Sequence, residues 1–183
     1  DELHGNLNLY KKSGVRGLFI QGMGEPGGGA ESMALRGWVV SRLLWNPDQA
    51  VWPLVDEFLP AYYGKAAAGV RRYLDIFHEA VRKDRTLHLS LFDVPTARQF
   101  APALVKPAEK ALDEAEELVR GAEKQRLQLL RSSLRYARLY QAAGEFALKG
   151  DIYKGSAKPA DQREFAGVVR LWKRALIQRV QEA

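Results

Sequence analysis

The chain has 183 residues, 46% hydrophobic and 27% charged, with no cysteine and a formal net charge of +6. That is the composition of one ordinary globular domain or part of a larger one, and it excludes a disordered chain, a disulfide framework and thiol chemistry. No uninterrupted apolar run approaches the roughly 20 residues of a membrane-spanning helix, so no membrane partner is expected.

The first element is predicted where Leu3, Leu7 and Tyr10 recur at helical spacing, a short helix stopped by Ser13-Gly14. Val15-Arg16-Gly17-Leu18-Phe19-Ile20-Gln21 is a short apolar run that suits a buried strand of a parallel sheet. The loop Gly22-Met23-Gly24-Glu25-Pro26-Gly27-Gly28-Gly29 follows. A helix is then expected from about Glu31 to Trp45, with so many apolar positions that it should pack on more than one side. Asn46-Pro47-Asp48 reads as a turn, with Asp48 placed to cap a helix from Gln49 to Tyr63.

From Lys65 the pattern is helical almost throughout. Ala68, Val70, Tyr73, Leu74, Phe77, His78 and Val81 mark one helix, which Lys83-Asp84-Arg85 ends; Thr86–Leu91 alternates but stands alone. Pro107 suits the first turn of a helix burying Leu112, Ala115, Leu118 and Val119, with Glu109, Asp113, Glu116 and Glu117 outside. Two longer helices are expected: Glu123 to Lys149, carrying Leu127, Leu130, Leu134, Ala137 and Gln141 at helical spacing, and Pro159 to Gln181, built on Phe165, Trp172 and Leu176. Together they predict a mainly α chain ending in a bundle of antiparallel neighbours.

A lone parallel-type strand cannot satisfy its own ladder hydrogen bonds. Strand, glycine-rich loop and covering helix make one βα unit, so residues 1–47 are read as the last unit of a (β/α)8 barrel and residues 48–183 as a C-terminal helical domain. The opening Asp1-Glu2-Leu3, without methionine, is the start expected of an excised or processed piece.

Gly22-x-Gly24-x-x-Gly27 spells a dinucleotide fingerprint but lacks its context. Pro26 interrupts it, two more glycines extend it, and no second strand ending in an acid follows. Gln21, Glu25 and Glu31 sit at or just past the end of the predicted strand, where barrel enzymes place substrate-binding groups. A buried Gln can hold a sugar hydroxyl through both its donor and acceptor atoms. The alternative is that Gln21 satisfies loop backbone and Glu31 favours a helix start. No carboxylate pair for glycoside chemistry is identifiable, so the catalytic residues are unassigned. His4, His78 and His88 are scattered without partners at metal-site spacing, and neither a metal nor a cofactor is expected. Trp38, Trp45, Trp52, Tyr62 and Tyr63 cluster early; such rings can stack on sugars but more often build a core.

Gly14-Val15-Arg16-Gly17-Leu18-Phe19-Ile20-Gln21-Gly22, Leu35-Arg36-Gly37-Trp38, Leu43-Leu44-Trp45-Asn46-Pro47-Asp48, Phe58 and Tyr62-Tyr63-Gly64-Lys65 occur in an order that resembles the C-terminal part of a large bacterial family, domain of unknown function 4838. That family is similar to (β/α)8-barrel glycoside hydrolases of the α-glucuronidase and β-hexosaminidase kind. The resemblance implies that residues 15–21 are the last barrel strand, and that the catalytic residues lie on earlier strands. It further implies a carbohydrate partner, an upstream barrel portion of the same polypeptide, and a secreted or periplasmic parent. The chain then supplies a substrate-binding edge and a structural helical domain, inactive alone.

Charge supports a competing reading. Residues 1–60 carry 5 Lys and Arg against 7 Asp and Glu, and residues 61–183 carry 23 against 15. A basic helical half with Arg131, Arg135 and Arg138 on one stripe, and Arg126 near it, suits a non-enzymatic module for an anionic polymer, nucleic acid or acidic glycan. Acids on the preceding helix are placed to neutralise that stripe, and no aromatic lies on it to stack bases, so tight nucleic-acid binding is not expected.

Overall fold

The computed structural model describes residues 2–20, 32–84, 86–87, 98–143, 147–149 and 152–154. The helices are α1 (Glu2–Lys12), α2 (Met33–Trp45), α3 (Val51–Tyr63), α4 (Ala67–Lys83), α5 (Pro102–Glu117) and α6 (Gly121–Ala143). Strands β1 (Ala147–Lys149) and β2 (Ile152–Lys154) pair antiparallel, Lys149 opposite Ile152. The described part is thus mainly helical, as expected.

The end of α1 follows from its sequence. Gly14 takes φ +76°, its N–H donates to the Lys11 carbonyl at 3.1 Å, and the Val15 N–H donates back to the Tyr10 carbonyl at 3.1 Å. This paired closure is the Schellman motif, and Lys11 and Lys12 place positive charge on the negative helix end. Beyond it, Val15–Ile20 runs without regular secondary structure, and among the described residues the only sheet is β1–β2. Over residues 15–20 the expected strand is therefore not formed, and among the described residues no strand pairs with this run.

Other expectations need correction. Asp48 does not cap α3, whose N-cap is Ala50 without a side-chain bond. Asp48 instead receives Lys11 Nζ at 2.7 Å, and its N–H donates to Asn46 Oδ1 at 3.1 Å, which ties the turn to α1. Pro102 opens α5, so Pro107 falls inside the helix rather than in its first turn. Helix α6 ends at Ala143, and Ala147–Lys149 form β1, so the helix does not reach Lys149. Helix α2 buries Leu35, Val39 and Leu43, with Trp38 partly buried against the core, and packs against both α1 and α3; its C-terminal end is open, with Trp45 91% exposed. The expected helix Pro159 to Gln181, and most of Thr86–Leu91, lie outside the described residues.

The core runs from α1 to α6. Leu7 and the α2 stripe meet Leu54, Val55 and Leu59 of α3, and Val70 and Tyr73 of α4 join Leu112 of α5 and Leu127, Leu130 and Leu134 of α6. The tightest crossing is α4 on α5. A Cβ on Gly69 would stand 2.5 Å from the Ala115 Cβ and 2.8 Å from the Ala111 carbonyl oxygen, so only glycine allows these backbones to approach as they do.

Candidate functional site

The candidate edge is assembled by the closure of α1. Val15–Ile20 leaves the Gly14 turn and passes the C-terminal end of α2, forming a groove of about 530 Å³ lined by Leu7, Tyr10, Val15, Leu18, Leu43 and Leu44. Lys11 and Arg16 bring positive charge to it, Lys11 already paired with Asp48. This stretch is unusually apolar for a surface. Phe19 is 92% exposed, Val15, Leu18 and Ile20 are each more than 40% exposed, and Leu44 adds to the groove from α2. Gln21, Glu25 and Glu31, the residues expected to bind substrate, lie outside the described residues. Their approach to one another and to the groove therefore forms no part of the observed geometry.

The early aromatics divide between two arrangements, with Trp45 in neither. Trp38, Phe58 and Tyr62 form a strip with ring centroids 6.1 and 4.9 Å apart, packed against the core. Guanidinium groups cover its two ends: Arg42 lies 5.2 Å from the Trp38 ring, and Arg126 lies 4.3 Å from Tyr62 while donating to the Tyr62 carbonyl at 2.9 Å. Phe58 and Arg126 occupy the neighbourhood a sugar ring would need at Tyr62, so the strip is core lining and not an open stacking platform. Trp52 is held between Arg71 at 4.5 Å and Arg82 at 5.4 Å, with His78 edge-on at 5.1 Å. Arg71 is in turn bonded to Asp56 and Asp75. Burial, reinforced by Arg82 and Arg71, pushes the His78 imidazole below its ordinary value.

The arginine stripe of α6 is divided: Arg131 is buried, Arg135 is half-buried and Arg138 is exposed. Arg131 is only 9% exposed and pairs with Asp113 and, at 3.0 Å, with Glu116. Glu116 also accepts from Gln128 at 2.9 Å and faces Lys124 at 3.4 Å. Burial pushes its carboxyl up, but the Gln128 hydrogen bond and the charges of Arg131 and Lys124 outweigh this and hold it below its ordinary value. Arg138 faces Glu109 at 3.8 Å. Glu116, read from the sequence as an outward residue, is instead the centre of a half-buried ion cluster between α5 and α6.

Among the described residues no group of His, Asp and Glu could hold a metal ion, and no helix is long and apolar enough to cross a membrane.

Residues 1–75 match the family described as Domain of unknown function (DUF4838). The stretch matched is the one that carries the ordered motifs from Gly14 to Lys65, so in that stretch the chain is similar to this family. No curated protein and no solved structure matches the chain.

Proposed function

We propose that this chain is the C-terminal part of a carbohydrate-active, glycoside-hydrolase-like protein. Residues 1–47 supply the closing βα unit of its barrel, and residues 48–183 a helical domain that buttresses it. The observation that carries the reading is the apolar run Val15–Ile20. Six consecutive residues include four exposed apolar side chains, with Phe19 at 92%, and no strand beside them among the described residues. A buried strand of a parallel sheet has this composition, because both of its faces are covered in the assembled fold. Gln21, directly after the run, then stands at the C-terminal end of a barrel strand, with Glu25 and Glu31 in the loop that follows. In this reading the three residues form an edge of the sugar site, and the acid and nucleophile come from other strands. The buried Arg131, paired with Asp113 and Glu116, weighs against an anionic-polymer module.

The test compares the isolated chain with the longer polypeptide on a panel of aryl glycosides. The chain alone is expected to show no turnover, because one βα unit cannot place two carboxylates about 5–10 Å apart across a glycosidic bond. In the longer protein, Gln21→Ala is expected to weaken sugar binding by about 1–2 kcal/mol, the scale of hydrogen bonds lost in a partly buried site. Turnover by the chain alone that disappears on Glu25→Gln or Glu31→Gln would overturn the reading. Unchanged affinity in the Gln21 variant would assign that residue to loop structure.

A further inference from the structure

We draw no further inference here: the strongest candidate, the groove of about 530 Å³ between α1, residues 14–18 and the C-terminal end of α2, is an apolar face, and nothing in the structure shows what covers it.

Discussion

The region from α1 to α2 and the region from α4 to α6 are made of similar residues but finished differently. In the second, apolar stripes close on one another and the charges between them are paired: Leu112, Leu127 and Leu134 are almost fully buried, and Arg131 meets two carboxylates. In the first, Phe19 and Trp45 stand in solvent, and among the described residues three of the four buried side-chain atoms lacking a hydrogen-bond partner are found there: His4 Nε2, Trp38 Nε1 and Arg42 Nε. The fourth, Arg131 Nε, belongs to a guanidinium whose two other nitrogens are in ion pairs. The lesson is that stability in this chain resides where burial is complete, while the N-terminal region carries apolar surface that contributes little to the fold described.

That contrast is broken most directly at its strong end. Leu127→Ala removes a side chain with no exposed surface and is expected to cost about 2–5 kcal/mol, the range for emptying a packed leucine site. Urea denaturation followed by circular dichroism measures it. A loss below 1 kcal/mol would show that the α5–α6 packing is not what holds the domain.

Gly69→Ala probes the same region from the opposite direction. Alanine favours a helix by about 1 kcal/mol over glycine. Here the added methyl meets the Ala115 Cβ and the Ala111 carbonyl, and overpacking of this kind costs about 1–3 kcal/mol. The net expectation is destabilisation, seen as a lower urea midpoint, whereas Gly37→Ala, where nothing lies within 4 Å of the new Cβ, should be neutral or stabilising. Equal effects at the two positions would refute the close crossing.

The ion cluster predicts a pH dependence with a definite sign. Because the fold holds Glu116 below its ordinary value of 4.5, the unfolded chain takes up the proton first as the solution is acidified. The stability contributed by Glu116 is complete above that ordinary value and is lost as the pH falls from it through the folded value. Glu116→Gln should flatten the acid limb of the stability curve relative to the parent chain. An unaltered limb would mean that the carboxylate is not specifically stabilised by Arg131, Lys124 and Gln128.

How much of this was legible before the structure depends on what each feature rests on. The α6 stripe was plain, because Leu127, Leu130, Leu134 and Ala137 are apolar at helical spacing and all four are buried. The α1 terminus was equally plain, since Gly14 alone there could adopt the left-handed turn at no steric cost. Period failed at element ends. Leu118 was grouped with the α5 stripe, yet it is the residue just after the helix and is 58% exposed. Strand β1 was covered by the overextended α6, which was expected to run to Lys149, and β2 was not anticipated. The fate of Glu116 and Arg131 depends on how two helices face each other, which a one-dimensional pattern does not encode. For the candidate site, the apolar run was expected to be a strand, yet residues 15–20 form no regular secondary structure, and Gln21, Glu25 and Glu31 lie beyond the described residues.

The smallest expected effect falls at the weak end of the comparison and is the most informative about its meaning. Phe19→Ser in the isolated chain removes a large apolar side chain that is 92% exposed, so it should change stability by less than about 0.5 kcal/mol and lessen self-association, measured by urea titration and sedimentation. The same substitution in the longer polypeptide should be costly if the run is a covered strand, because a buried phenylalanine contributes several times that amount. A large loss in the isolated chain would show that Phe19 already packs within it. A negligible loss in both would leave the run a solvent-facing connector and remove the main support for a closing barrel unit.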